Sequence, residues 1–223
     1  MRYRARLKKF RFKRGGFRKN KNRIPKPPKQ RSKYFWTIAN NISISKIFLI
    51  PLFVIFYLRN SITGYSVCLV IVIFAEASDY FDGFIARRFN MVSDVGKLID
   101  PMADSLFRFS MYLTFYTDRT IPVWVVFIFF FRDIIVAYVR MGLSTQGIVL
   151  AAKRSGKNKA IFQASGAIII LLLKLLLMNH LITETAMANI VLAVVIIVSA
   201  VVLYSLFDYL IPSIKVMRNR NRS

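Results

Sequence analysis

Long apolar runs separated by short polar connections fill most of the chain beyond residue 42. They occupy residues 43–60, 63–87, 99–117, 121–142, 158–179 and 186–211. A helix needs roughly 17–25 residues to cross a ~30 Å hydrocarbon core, and each run suits that length. The pattern predicts an all-α, polytopic membrane protein with six transmembrane helices, without internal repeat or heptad register. Two of the runs are impure. Glu76, Asp79 and Asp82 stand near the end of the second, and Asp100 and Asp104 near the start of the third. Those two helices are expected to extend beyond the hydrocarbon on the cytoplasmic side. Ahead of the first run, residues 34–42 mix aromatic and polar side chains, which predicts a short helix lying in the interface.

Charge sorts the chain further. Of 223 residues, 56% are hydrophobic, yet 34 Lys and Arg face 10 Asp and Glu, for a net charge of +24. The two properties occupy different stretches, since residues 1–33 hold 16 of the basic residues and no acid. This excludes an ordinary soluble domain, a fully disordered protein and a disulfide scaffold. The lone Cys68 can form no internal disulfide. Residues 1–33 read as a basic, disordered cytoplasmic arm and not as a signal peptide, because the charged region is too long and no small-residue cleavage site follows. Residues 43–211 read as the six-helix membrane domain and 212–223 as a basic cytoplasmic tail. The arm, the 88–98 and 143–157 connections and the tail carry most of the Lys and Arg, so both termini are expected in the cytoplasm. His180, Trp36 and Trp124 read as interface residues, and the Phe-rich run 127–131 as lipid-facing or packing surface. The small residues Ala164 to Ala167 suit close helix contact or a seam between chains.

Six of the ten acids lie between Glu76 and Asp104. An acid at the centre of a membrane helix costs ~2.5–3.5 kcal/mol on insertion scales, so a cluster calls for a compensating partner. Asp79 and Asp82 share one helix face, and Asp100 and Asp104 share another. The short connection makes the two helices antiparallel neighbours, so four carboxylates can converge. Hard divalent cations such as Mg²⁺ or Mn²⁺ would relieve their repulsion, and two of them could bridge a diphosphate. The plain alternative is that these acids cap helices or pair with Arg87, Arg88 or Lys97. It does not require four acids at helical spacing on facing helices.

The run from Asp79 to Asp104, DYFDGFIAR, eight residues, then GKLIDPMAD, resembles the complete motif of the CDP-alcohol phosphotransferase family. The resemblance implies a six-helix membrane enzyme that moves a substituted phosphoryl group from a CDP-linked donor to an alcohol and releases CMP. It implies two Mg²⁺ (or Mn²⁺) ions held by Asp79, Asp82, Asp100 and Asp104, with Asp104 also the general base. Gly83 and Ala86 would leave room for the cytidine end, Arg87 would neutralise donor phosphate, and Ser93 stands where a hydroxyl often lies near the donor. Gly96 would allow close approach of the backbone to the ligand.

Over roughly residues 38–211 the chain is most similar to the phosphatidylglycerophosphate synthase branch of that family. Asn40, Ser43, Lys46 and Pro51 fall on its upstream stretch, with Ser for Thr and Lys for Arg. Asn40 and Ser43 thereby join the donor-binding candidates. Arg132-Asp133, Arg140 and Gly156-Lys157-Asn158-Lys159 with Gln163 fall on its downstream runs. Ala160 replaces a Thr there, and Ser105 replaces a Lys. The branch implies CDP-diacylglycerol as donor, glycerol 3-phosphate as acceptor, and a homodimer.

Arg132 and Arg140 are eight residues apart, close to one helix face, and arginine suits bidentate phosphate. With Lys157 and Lys159 they could clamp the acceptor phosphate. The alternative is positive-inside topology with an Arg132–Asp133 or Arg–Glu76 pairing. Inositol phosphate, serine and choline are other acceptors used within the family. Intramembrane prenyltransferases also hold diphosphate through aspartate pairs, but in two distant stretches of a longer chain. A membrane anchor with a nucleic-acid-binding arm would use the basic residues interleaved with Phe10, Phe12 and Phe17. The arm is read instead as lying on anionic lipid, at ~1 kcal/mol per basic residue near the surface.

Overall fold

Residues 38–88, 96–145 and 154–220 are described by the structure, a computed structural model. They form α1 (Ile38–Leu58), α2 (Ile62–Arg88), α3 (Gly96–Thr117), α4 (Val123–Thr145), α5 (Arg154–Met178) and α6 (Glu184–Arg220). No strand occurs among them. Each predicted run matches one helix, overhanging it by at most two residues. The basic arm 1–33, residues 34–37 of the expected interfacial helix, and Ser93 lie outside the described residues.

Two boundaries differ from the sequence expectation. Helix α1 runs unbroken from Ile38, because nothing between Ile38 and Ile50 is Gly or Pro. Residues 38–42 are therefore continuous with the first apolar run. Helix α6 does not stop before Pro212 but continues to Arg220. Pro212 removes one amide donor, the one that would meet the Asp208 carbonyl. One residue on, the Ser213 hydroxyl donates to the Tyr209 carbonyl at 2.7 Å. Lys215 and Arg218 near the end of the helix complement its dipole.

The helix ends carry identifiable signals. The Ser61 hydroxyl accepts from the Gly64 amide at 3.0 Å and caps α2. The Thr183 hydroxyl accepts from Ala186 at 3.2 Å and caps α6, with Glu184 in the first turn. Helix α5 ends in a Schellman arrangement: His180 N–H donates to the Leu177 carbonyl and Leu181 N–H to the Leu176 carbonyl, both at 2.9 Å. His180 takes the left-handed conformation that this requires, with φ 57°.

The helices pack as a ring in the order α1, α2, α5, α6, α4, α3 and back to α1, with α3 and α5 also touching across it. The sequence expected α2 and α3 to be direct neighbours. Among the described residues α1 packs against both through Phe53 and Tyr57, and Glu76 of α2 reaches Arg108 of α3 directly. Phe53 stands against Phe107 and Phe115, and Tyr57 lies 5.4 Å from Phe115. Truncating a buried Phe of this kind costs ~3–5 kcal/mol. Where α5 crosses α3, the Tyr112 hydroxyl donates to the Gln163 carbonyl at 2.8 Å. A Cβ at Gly166 would stand 2.8 Å from that hydroxyl and 3.1 Å from Val198, so the crossing needs a glycine. Ala164, Gly166 and Ala167 are thus buried in the close helix contact that the sequence offered, while Ser165 is exposed.

The outer surface is apolar. Phe48, Val70, Leu181 and Tyr204 are each 65% or more exposed, a surface that water does not favour over this extent. Helix α5 and residues Glu184–Lys215 of α6 are long and apolar enough to cross a membrane, and Ser45–Leu58 and Ile62–Ser78 are shorter apolar helices. Helices α3 and α4 carry charge within their apolar stretches, at Asp104, Arg108, Arg132, Asp133 and Arg140. The chain associates with membrane through these apolar helices.

Candidate functional site

Two clusters of buried charge tie the helices together. In the first, Lys46 of α1 is 2% exposed and its Nζ donates to Oδ1 of Asp104 in α3 at 2.8 Å. Arg108, one turn further along α3, lies 3.9 Å from Oδ2 of Asp104 and 3.4 Å from Oε1 of Glu76 in α2. The Glu76–Arg108 pair joins α2 to α3 one turn away from the two aspartate pairs. Lys46 was legible in the sequence as the cation of the upstream stretch, but its bond to Asp104 was not.

The aspartates divide as follows. Asp79 and Asp82 lie on the last turns of α2 with Gly83, Ala86 and Arg87, and Gly96 and Asp100 open α3. Asn40 and Ser43 lie on the first turns of α1. The side chains of these residues are outside what the structure describes. Among the described residues, no three acids, histidines or cysteines group as a metal site. Asp104 is the member whose geometry is visible, with its side chain 20% exposed. Its Oδ1 is taken by Lys46, while Oδ2 accepts no hydrogen bond among the described residues. A hard carboxylate oxygen left in this way fits a divalent cation such as Mg²⁺.

The second cluster centres on Asp133 of α4. Its carboxylate accepts from Lys159 Nζ of α5 at 2.5 and 2.8 Å and from Arg132 Nη1 at 2.9 Å. Arg132 Nη2 also donates to the Ser205 hydroxyl of α6 at 2.6 Å. The Arg132–Asp133 pairing that the sequence offered is therefore present, but Glu76 pairs with Arg108 and not with Arg132 or Arg140. Burying ions costs several kcal/mol each, recovered only when partners are well placed. Here the recovery is incomplete: Arg132 Nε is buried without an acceptor among the described residues, a penalty of ~1–3 kcal/mol.

Arg140, exposed, donates from Nη2 to the Tyr209 hydroxyl of α6. Its guanidinium carbon lies 4.9 Å from the Tyr209 ring centroid, and that of Arg132 lies 5.9 Å from the same ring. Ser155, at the start of α5, donates to Asp208 Oδ2 at 2.6 Å. Lys157 is exposed and makes no ion pair among the described residues. Arg132, Arg140 and Lys159 thus converge as the sequence expected, while Lys157 stays at the rim. Around this site Arg132, Arg140, Lys157 and Lys159 face Asp133 and Asp208, an excess of positive charge suited to an anion.

Sequence reasoning passed over Ser205, Asp208 and Tyr209. The signal was present: Asp208 is the one acid of the run 186–211, three residues after Ser205, and Ser205 shares a helix face with Tyr209 at i, i+4 spacing. It also passed over Lys174. At the other end of α5, about 22 Å from Lys159 along the helix, Lys174 Nζ binds Asp118 Oδ2 at 2.6 Å. Tyr57 donates to the same oxygen at 2.9 Å, and the Thr120 hydroxyl donates to Oδ1. Burial pushes the Asp118 carboxyl up, but the hydrogen bonds from Lys174 and Thr120 outweigh this and hold it below its ordinary value. A hollow of about 700 Å³ opens here between Asn60, Asp118, Lys174 and His180. Every group in this network is satisfied within the protein, so it reads as a buckle between the α3–α4 turn and α5.

Comparison with known proteins identifies a family. Residues 36–205 match the family of CDP-alcohol phosphatidyltransferases. A Bacillus subtilis protein named CDP-diacylglycerol–glycerol-3-phosphate 3-phosphatidyltransferase is 30% identical over 136 residues, 56% of this chain and 70% of that protein. An Aquifex aeolicus protein of the same name is 35% identical over 99 residues, 44% of this chain and about half, 54%, of its own length. A Mycobacterium tuberculosis protein named putative cardiolipin synthase is 35% identical over 101 residues, 45% of this chain and 47% of its own.

Proposed function

The chain belongs to the CDP-alcohol phosphatidyltransferase family, and from that premise we propose that it transfers a phosphatidyl group from CDP-diacylglycerol to glycerol 3-phosphate, giving phosphatidylglycerol phosphate and CMP. The observation that carries the choice of acceptor is the excess of positive charge around Asp133 and Tyr209. An acceptor bearing its own phosphate monoester suits that site, whereas serine or choline would leave it unfilled.

Asp79, Asp82, Asp100 and Asp104 would hold two divalent cations, Mg²⁺ or Mn²⁺. Bound there, the ions would supply positive charge for the donor diphosphate and the departing phosphate. Asn40, Ser43, Gly83, Ala86, Arg87, Ser93 and Gly96 line the donor side. Lys46 holds the Asp104 carboxylate in orientation through Oδ1, and Oδ2 is the atom that takes the proton from the acceptor hydroxyl. The freed alkoxide oxygen attacks the phosphorus bearing the diacylglycerol, and the bond to the CMP oxygen breaks. Arg132, Arg140 and Lys159, with Lys157 at the rim, position the acceptor phosphate. Positioning and charge stabilisation carry most of the catalysis, with typically 10²–10⁴-fold from the general base.

In this reading all six helices span the membrane and both ends of the chain face the cytoplasm. The acyl chains of the donor stay in the lipid. Residues 1–33 lie on anionic lipid, and the tail extends α6 toward the same surface. The working unit is a homodimer.

The test is CMP release from CDP-diacylglycerol by the purified chain with Mg²⁺ or Mn²⁺, each alcohol being supplied in turn. Glycerol 3-phosphate is expected to support turnover, and inositol phosphate, serine and choline are not. The mycobacterial relative favours one second reading, in which phosphatidylglycerol is the acceptor. Turnover with phosphatidylglycerol and none with glycerol 3-phosphate would select it.

A further inference from the structure

We propose that Tyr209 is a positioning residue for the acceptor, a platform that presets the two arginines before the anion arrives. The inference rests on the reading of Arg132 and Arg140 as acceptor-phosphate ligands. Tyr209 is 2% exposed, so its ring is fixed by packing, and it lies on α6 beyond residue 205, where the family match ends. Both arginines meet this one side chain. Its hydroxyl accepts from Arg140, and its ring stands under the guanidinium groups of both Arg140 and Arg132. An exposed arginine otherwise samples many rotamers and must surrender them on gripping an anion. The tyrosine removes that freedom in advance.

The neighbouring backbone comes close to both Tyr209 and Arg132. At Gly156 of α5 a Cβ would meet Tyr209 Cε2 at 3.6 Å, the Tyr209 hydroxyl at 3.8 Å and Arg132 Nη2 at 3.8 Å. Glycine leaves a space bordered by these three atoms, and Arg132 Nε lies nearby in need of an acceptor. On either side, Ser155–Asp208 and Arg132–Ser205 lock α6 to α5 and α4, so the ring cannot drift from the arginines.

The experiment uses the full chain in detergent with CDP-diacylglycerol and glycerol 3-phosphate, comparing wild type, Tyr209→Phe, Arg140→Ala, Arg132→Lys and the double variant Tyr209→Phe with Arg140→Ala. Inorganic phosphate serves as a competitor of the acceptor. Tyr209→Phe keeps the ring and the packing but loses the hydroxyl. The acceptor KM and the inhibition constant of phosphate are expected to rise together, by about three- to tenfold, the worth of one hydrogen bond, with the donor KM unmoved. In the double variant the loss of the hydroxyl adds nothing to the effect of Arg140→Ala. If Arg140→Ala raises the acceptor KM while Tyr209→Phe does not, the clamp stands and the role of Tyr209 is overturned. If neither Arg140→Ala nor Arg132→Lys moves the acceptor KM, the clamp itself is wrong and the platform falls with it. Equal rises in donor and acceptor KM would show Tyr209 to be merely structural.

Discussion

Replacing Asp133 with Asn is the sharpest test of the buried charge network. Asp133 is the anion on which both Lys159 and Arg132 depend, with its side chain 17% exposed and that of Lys159 only 4% exposed. Asparagine keeps the size and one acceptor oxygen but removes the charge. Two buried cations then face each other with only neutral partners. Breaking a buried pair from one side costs ~3–5 kcal/mol, which for a chain of this length corresponds to a fall in the unfolding midpoint of about 6–20 °C. Cys68 is the only cysteine and is fully buried, so a thiol-reactive dye reports unfolding directly.

The reasoning can be separated from a general loss of packing by adding Lys159→Met. A pair replaced by neutral groups of similar volume costs little, and removing one partner costs much. The double variant should therefore melt above Asp133→Asn, with a coupling of about 0.5–3 kcal/mol. An Asp133→Asn midpoint within about 2 °C of wild type would refute the argument. So would strictly additive losses, since they would mean that the charges are screened by water and not by one another.

Three further outcomes follow from other sites. Asp104→Asn should abolish CMP release, by about 10²–10⁴-fold or more, and lower the midpoint because Lys46 loses its anion; near-normal release would remove Asp104 as the base. Asp118 has its folded pKa depressed, so its network contributes stability above the ordinary carboxylate range and loses it as pH falls through the folded value. The midpoint difference between wild type and Asp118→Asn, followed by dye-free scattering from neutral to acid pH, should shrink to nothing at the acid end, and a constant difference would contradict this. Deleting residues 1–33 should lower activity on vesicles of anionic lipid and leave activity in neutral detergent intact, with a loss in both assigning the arm a structural role instead.

How much of this was legible depended on whether the signal was local. Apolar runs locate helices because a helix in lipid must satisfy its own backbone, and all six were found within a few residues. The main extension, past Pro212, arises because one missing amide does not end a helix whose next residues suit its dipole. The aspartate spacing was equally local, and helical period put Arg132 and Arg140 near one face, while Lys159 joined them through its place at the start of the next helix and the family resemblance. Partner choice across helices was not legible. Nothing in the spacing says that Lys46 reaches Asp104 across 58 residues, that Lys174 reaches Asp118 across 56, or that Arg108 and not Arg132 takes Glu76. Those pairings follow from the order of helices round the ring, in which α1 packs against both α2 and α3. That order is decided by shape: Phe53 and Tyr57 filling one gap, Gly166 permitting Tyr112 to cross. Yet a charged residue alone in an apolar run, such as Lys174 or Asp208, already announces that a partner exists. In a membrane protein the sequence states that such a debt must be settled, and only the packing says by which residue.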